Sequence, residues 1–525
     1  MLAFGAAAWN CVGMQGVSRP DRELLDAAAL CSHLLGSGSV HMFLAEHRRR
    51  LFPDDMFEDL FPSGRGRPSV PADVIATVIV LQALEGLSDR QAVRRLETDI
   101  AWKAAAGLAL SDEAFHSTVL VLWRAKLRNS DRPERIFDAV RQVMAASKVI
   151  EGKTRRALDS TVLDDAVARQ DTIDMLVTQI RRVRKLIPEL ESVPVREHNL
   201  EGPGRPPCDW DDPADMDRLV SELVDDANEL VWAGEDLVEA GAELSTKQSD
   251  ALALLALVAG QDVEPGDRPG TWRIAQRTAK DRVISTVDPE SRHAHKTAHN
   301  YRDGFKAHVA VEPETGLVTD CDLGSGIASD ASAGPGLIED DPDAETILGD
   351  SAYGSGEFRE HLDNEGKQAV IDPPPLPTAI PGGFSIDDFD IDTQARTVTC
   401  PAGVTVGLNK HDQARFGANC ATCPLRFKCT KARKGRVIRV HPQHRLLAAA
   451  RRQATTEAFA DEYRQHRPMV ERTLAWLTRD NWRKLRYRGI ERNRLGWSHR
   501  CAAINLQRLI RLGLTATPRG DWAIA

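Results

Sequence analysis

The sequence predicts an α/β protein: a mixed sheet flanked by helices, with helices before it and a helical insertion within it. Three stretches carry that expectation. ETILGDSAYGSG (345–356) is a short apolar run broken by small residues, the pattern of a buried strand that ends at a carboxylate, Asp350. RRALDSTVL (155–163) is a second such strand, with Asp159 in its middle. FKAHVAVEPETGLVTDCDL (305–323) alternates apolar and polar residues on both sides of a Pro-Glu-Thr-Gly turn, which predicts a hairpin. Carboxylates at strand ends of α/β domains sit where loops and ligands meet. An acidic residue inside an apolar strand needs a compensating cation, so two of them point to a shared cation. Taken alone, Asp350 fits equally an aspartate that caps the next turn.

At 525 residues the chain has room for a large core and two to four domains. It contains no run of eighteen apolar residues, so no membrane-spanning helix is expected. MLAFGAAAWNCVGM carries no basic region ahead of its apolar residues, so the expected setting is cytoplasmic, without a signal peptide. The net charge of −9 argues against nucleic acid, but its distribution reverses that. Residues 424–525 hold 24 Lys and Arg against 7 Asp and Glu, a balance of +17 that leaves −26 on the rest. Such asymmetry predicts a polyanionic partner for the C-terminal segment.

In chain order, residues 1–65 read as an N-terminal helical arm, with helices near 21–35 and 41–51. Residues 66–130 read as a helical DNA-binding unit. Pro71 suits a first helical turn, Val74, Ile75, Val78, Ile79 and Leu81 form an apolar stripe, and Gly86 can end the helix left-handed. Ser88 and Gln91 then form a capping box, and a third helix is expected over 115–127. Arg90, Arg94 and Arg95 are free to face phosphates if this is a helix-turn-helix-like unit; an ordinary bundle with solvated arginines is the alternative. The sheet domain is expected over 150–164 and 270–372, with strands at 155–163, 281–286 (DRVIST), the hairpin, the Asp350 strand and KQAVID, and a helix containing Phe358 and Leu362. Residues 165–265 interrupt it with helices, one of them opened by Ser245 and Gln248, that read as a structural or oligomerisation insert.

A breaker-rich exit, PPPLPTAIPGG, opens a second interruption over 373–445. It holds Cys400, Cys420, Cys423 and Cys429, spaced C-x19-C-x2-C-x5-C. Thiolates so spaced suit one closed tetrahedral Zn²⁺ site, with unligated thiols as the alternative. Lys434 and Arg436 belong to the basic run beside it. Residues 446–480 read as one long helix on which Tyr463, Arg467 and Glu471 share a face. Residues 481–525 read as a basic tail in which arginines alternate with Trp482, Tyr487 and Trp497.

GRPSVPADVIATVIVLQALEGLSDRQAVRRL, ALDST, DGFKAHVAVEPETGLVTD, ILGDSAYGS, CPAG…CATCPLRFKC, HRPMVERTLAWL and NWRKLRYRGIERNRLG, in this order, resemble the DDE transposases of bacterial insertion sequences. The resemblance implies an InsH-like helical N-terminal domain and an RNase H-like catalytic domain. It implies that Asp159, Asp350 and Glu471 form an acidic triad holding two Mg²⁺ or Mn²⁺ ions about 4 Å apart. It also implies terminal-repeat binding, DNA cleavage and strand transfer, with double-stranded DNA and further copies of the chain as partners. Expected DNA contacts are Arg90, Arg94, Arg95, Lys434, Arg436, Arg467, Arg472, Arg483, Lys484, Arg486 and Arg488. Tyr463 stands one residue too far from Arg467 for the family's strict spacing. Glu491 is a rival third acid, and Asp164 and Asp330 could assist the first. A catalytically silent DNA-binding repressor and a nuclease that never joins are the competing functions.

Overall fold

The computed structural model describes residues 14–18, 25–63, 65–196, 198, 200, 204–277, 279, 281–297 and 300–525. Among the described residues, seven α-helices come first: α1 Ala27–Cys31, α2 Val40–Leu51, α3 Ala72–Glu85, α4 Asp89–Thr98, α5 Ile100–Ala106, α6 Thr118–Arg128 and α7 Arg135–Ala146. Every α3 residue from 72 to 83 is buried, so the other helices wrap it on all sides. Pro71 stands just ahead of α3 as its N-cap, and Gly86 ends it at φ 63°, ψ 39°. The Ser88–Gln91 capping box then starts α4. The helix expected over 21–35 is α1 followed by a 3₁₀ turn, Ser32–Leu34, and its first four residues lie outside the described residues.

Strand β1, Arg155–Asp164, follows. Then come α8 Thr172–Leu186, α9 Pro213–Glu239, α10 Thr246–Gln261 and a small hairpin of β2 Val263–Pro265 and β3 Trp272–Ile274. These insertion helices share a separate apolar core. Strands β4 Arg292–Thr297, β5 Asn300–Glu312 and β6 Leu317–Ser325, helix α11 Asp330–Ala333, strand β7 Thr346–Gly349, helix α12 Gly356–Asn364 and strand β8 Gln368–Ile371 complete the main sheet. Its order is β4-β5-β1-β7-β8, with β6 paired to β5. Strand β1 runs antiparallel to β5 and parallel to β7, which is parallel to β8.

Residues 281–286 do not form the expected strand; they contribute one bridge, Val283 to Arg292. Their backbone is satisfied by side chains instead: Gln261 Oε1 accepts the Val283 N–H at 3.0 Å, and Gln170 Oε1 accepts that of Thr286 at 2.7 Å.

The cysteine-bearing segment folds as small sheets, β9 Asp390–Asp392, β10 Thr397–Thr399 and β11 Thr405–Gly407, then β12 Gln413–Arg415 paired with β13 Val437–Arg439. Helix α13, Arg426–Cys429, lies between the last two. The expected long helix is three: α14 His444–Ala454, α15 Glu457–His466 and α16 Pro468–Leu477. Thr456 causes the first break, its hydroxyl accepting the Phe459 N–H at 3.3 Å. Pro468 opens α16, but Arg467 keeps helical dihedrals (φ −61°, ψ −38°), so Tyr463, Arg467 and Glu471 remain on one side.

Helix α17, Ile490–Arg511, and the hairpin of β14 Leu514–Ala516 and β15 Trp522–Ile524 end the chain. Residues 495–506 are all buried. They share one core with the N-terminal helices, α16 and one face of the main sheet. Asn505 pairs with Val318 of β6 as another strand would, accepting its N–H at 2.8 Å and donating to its carbonyl at 2.7 Å. The opposite face of the sheet packs Leu158, Ile347, Tyr353 and Phe358.

Where the helical unit meets the sheet, burial and then the charges of Asp320 and Asp138 push Glu134 up to about 7. Burial, opposed by Arg141, pushes Asp320 up to about 6. The folded chain therefore holds protons that the unfolded chain has released. Their contribution to stability is fully present below the ordinary carboxylate range and is lost as pH rises through 6 to 7. Glu134→Gln is expected to reduce the stability lost between about pH 5 and pH 8 by on the order of 2 kcal/mol, read by urea unfolding. An unchanged loss would contradict this placement of Glu134.

Candidate active site

The pairing register brings Asp159 and Asp350 together. On β1 and β7, Arg155, Arg156 and Ala157 stand opposite Thr346, Ile347 and Leu348. Continued two residues, the register sets Asp159 beside Asp350, whose backbone stays extended (φ −79°, ψ −178°). Adjacent strands lie about 4.8 Å apart, so the two acids leave neighbouring backbones at one level. Both have the strand parity of Ala157 and Leu348, which face the core shared with α16 and α17. Asp350 Oδ1 also accepts the Ala352 N–H at 3.0 Å, so the capping role holds alongside the site role.

Arg467 joins this pair to α16. Its Nη2 is 3.1 Å from Asp159 Oδ2, and its Nη1 is 3.7 Å from Glu471 Oε1. The two carboxylates therefore grip one guanidinium and lie within about 9 Å of each other. Their settings differ: the Asp159 side chain is 14% exposed and that of Glu471 is 66% exposed. Burial raises the Asp159 pKa, Arg467 opposes the shift, and the charge of Asp350 adds to it. Burial works against the Arg467 charge, but Asp159, Tyr463 and Asp350 hold its pKa above the ordinary value. Arg467 Nε and Nη1 are buried without a hydrogen-bond acceptor, leaving two donors for an incoming oxyanion. The Tyr463 phenol is pushed up to about 12 by burial, with Arg467 opposing and Asp372, Asp350 and Glu471 adding. It stays neutral, a donor in the same electrostatic neighbourhood.

Asp372 is the residue that sequence reasoning passed over. Gly349 of β7 pairs with Ile371 of β8, and the Asp372 N–H donates to the Gly349 carbonyl at 3.2 Å. Asp372 therefore stands beside Asp350 as Asp350 stands beside Asp159, one carboxylate on each of three neighbouring parallel strands, just past the ends of β7 and β8 and in the middle of β1. AVID repeats the pattern of ILGD, an apolar strand closed by an aspartate; KQAVID reads as a strand, but its aspartate stands against the prolines of the exit and is not counted among the acids.

The rival acids lie in other ion pairs. Asp164 pairs with Arg302 at 3.0 Å, Asp330 with Lys306 at 3.2 Å, and Glu491 with Arg128 at 3.9 Å. Of the expected DNA contacts, Arg90, Arg94, Lys434, Arg472, Arg483, Lys484 and Arg488 are exposed. Arg95 is exposed but bridges Glu85 at 3.3 Å and Asp99 at 2.7 Å. Arg436 donates to the Cys429 carbonyl at 3.4 Å, and Arg486 donates to the Gly86 and Leu87 carbonyls at the end of α3. The tail also adds to β1: Asp164 donates its N–H to the Arg483 carbonyl at 2.8 Å and accepts that of Leu485 at 2.7 Å.

Among the described residues, no group of three or more His, Cys, Asp or Glu side chains stands in a metal-holding arrangement. The donors fit a hard cation in part. Asp159 and Asp350 offer oxygens side by side, whereas Glu471 faces Arg467. In the cysteine segment, Cys400, Cys420, Cys423 and Cys429 are free thiols that border one cavity with Phe389 and Phe416. Cys420 Sγ accepts the Arg436 N–H at 3.4 Å. Burial raises the Cys429 thiol, Arg436 opposes the shift, and the other three cysteines add to it. The four border the same cavity without standing in a metal-holding arrangement.

A family model described as a transposase DDE domain matches residues 399–510, and a transposase domain model (DUF772) matches residues 43–126. Together they support an insertion-sequence DDE transposase. The DDE-domain match takes in the four cysteines, Arg467, Glu471 and most of α17, and leaves Asp159 and Asp350 outside it. The other covers α3 to α5 with most of α2 and α6, the helices that hold Arg90, Arg94 and Arg95. No curated protein and no solved structure matches the chain. Among the described residues, no helix of this transposase-like chain is long and apolar enough to cross a membrane.

Proposed function

We propose that the chain is a DNA transposase that binds the terminal inverted repeats of its insertion sequence and catalyses metal-dependent strand cleavage and strand transfer. The observation that carries this is the register that sets Asp159 beside Asp350, under a helix whose first turns offer Arg467 and Glu471. In this reading the catalytic core is RNase H-like, and Asp159, Asp350 and Glu471 hold two Mg²⁺ or Mn²⁺ ions. The ions would supply activation of the attacking hydroxyl and neutralisation of the departing 3′ oxygen.

The chain's own groups do the rest. Arg467 turns Nε and Nη1, which have no hydrogen-bond acceptor, to a non-bridging phosphate oxygen and loosens its hold on Asp159 and Glu471. Glu471, on the exposed rim, is then free to turn toward the aspartates. Tyr463 offers a neutral hydroxyl to the same phosphate. Exposed bases on α4 and in residues 483–488 contact the duplex, and further copies of the chain join in a synaptic complex.

The test uses duplex DNA carrying the element's ends, with Mg²⁺ or with EDTA. Cleavage at the ends only with Mg²⁺, and joining of pre-cut 3′ ends to a target duplex, are expected. Binding without cleavage would leave a DNA-binding repressor, and cleavage without joining a nuclease.

The same reading gives the four cysteines a structural Zn²⁺, supported by their convergence on one cavity and the N–H directed at Cys420 Sγ. Metal analysis of the purified chain is expected to find about one zinc per chain, falling sharply in Cys423→Ser. A zinc-free native chain would make the thiols core packing instead.

A further inference from the structure

We infer that the loop around Phe427 in the cysteine module is a binding site for unpaired nucleotides at a DNA end, with Phe427 stacking on a base and its basic neighbours holding phosphates. At 67% exposure, Phe427 is the most exposed large apolar side chain among the described residues. It is not surplus to a poorly packed module, because Phe389, Val398, Ala414, Phe416, Ile438 and Val440 form a buried core beneath it. A lone exposed ring needs no ligand; what sets Phe427 apart is the basic surface on which it stands.

The surroundings specify the ligand. Residues 413–456 contain eleven Lys and Arg and no Asp or Glu. Lys428, Lys431, Arg433, Lys434 and Arg439 are exposed. Among the described residues none of these five enters an ion pair. Lys428 Nζ lies 5.8 Å from the Phe427 ring centre.

The loop is also built rather than slack. Arg426 Nη2 donates to the Ala432 carbonyl at 3.2 Å, and the Ala432 N–H donates to Thr430 Oγ1 at 3.1 Å. The Gly435 N–H donates to the same Ala432 carbonyl at 3.1 Å, and the Phe384 N–H anchors the Lys428 carbonyl at 2.9 Å. These bonds gather the lysines and arginines around the turn that displays the ring. Phosphate contacts alone need no aromatic, and a closed duplex hides the faces of its bases. Ring and bases together fit a strand whose bases are free to stack. The module is also tied to the aspartate site. His441, two residues past β13, is 3.4 Å from Glu357 at the start of α12, seven residues beyond Asp350.

The inference rests on reading the chain as a DNA-processing enzyme, and it can fail separately. The experiment measures binding of the full chain to a fluorescein-labelled thymidine strand of about 15 nucleotides and to a blunt duplex of equal length, by anisotropy at two salt concentrations. Phe427→Ala is expected to weaken strand binding about tenfold and to change duplex binding less than about twofold, with Phe427→Trp restoring the strand affinity. Replacing Lys431, Arg433 and Lys434 by Gln together should weaken both and flatten the salt dependence. Unchanged strand binding in Phe427→Ala, or equal loss for strand and duplex, would overturn the inference while leaving the cleavage result standing. Strand-selective loss in a chain that never cleaves would overturn the enzyme reading and keep this site.

Discussion

Asp350→Ala is expected to lose at least about a thousandfold of Mg²⁺-dependent end cleavage while binding the same ends within about twofold. Its structural work is small: the carboxylate accepts one N–H, from Ala352 at 3.0 Å, at the start of the 3₁₀ turn Ser351–Tyr353. Losing such a cap costs about 1 kcal/mol, far too little to unfold a chain of this size. Its chemical work is large, because it is the middle one of three carboxylates side by side on β1, β7 and β8. Asp350→Asn separates the two roles. The amide oxygen can still cap the turn but carries no charge, so stability should recover and cleavage should not. Cleavage that survives either substitution would remove Asp350 from the site.

The largest effect on stability is expected at Arg500. It is wholly buried on α17 and joins the C-terminal ends of two helices. It donates to the Ala83 and Leu84 carbonyls of α3 at 2.8 and 2.7 Å, and to the Trp476 and Leu477 carbonyls of α16 at 2.9 and 3.0 Å. Those carbonyls have no partner inside their own helices. Burial pushes the Arg500 pKa down to about 10, with Asp480 opposing. Arg500→Met leaves the Leu84 and Leu477 carbonyls unpaired, while Ala83 keeps the Trp482 Nε1–H at 2.8 Å and Trp476 the Arg479 N–H at 3.4 Å, and is expected to cost about 3–5 kcal/mol in urea unfolding. Arg500→Lys keeps the charge but loses the planar fork, and should fall between. A loss below about 1 kcal/mol would show that water or a shift of α16 satisfies the carbonyls.

Much of the fold around the candidate site was legible because strand chemistry is local. An apolar run closed by an aspartate announced β7, an aspartate inside an apolar run announced β1, and the Pro-Glu-Thr-Gly turn announced the hairpin of β5 and β6. Gly86, Ser88 and Ser245 likewise marked helix ends by their own side-chain or backbone chemistry. What escaped depends on partners distant in sequence. The arginines after residue 480 read as surface for a polyanion, yet Arg486 and Arg500 terminate α3 and Asn505 extends β6. Composition records charge but not which helix end lacks a donor. The break at Thr456 escaped because a threonine in a helical run reads as tolerated until its hydroxyl is seen to cap. DRVIST has strand composition, but its backbone partners are the side chains of Gln170 and Gln261, at the two ends of the insertion rather than on a neighbouring strand.

The central claim is that three separated carboxylates hold divalent ions beside a DNA phosphodiester, and crystals of the chain grown with end DNA and Mn²⁺ test it most directly. Anomalous scattering is predicted to show two manganese peaks about 4 Å apart, bounded by Asp159, Asp350 and a Glu471 that has left Arg467. Bound DNA with manganese peaks elsewhere, or with Glu471 still on Arg467 and no peak between the aspartates, would contradict it.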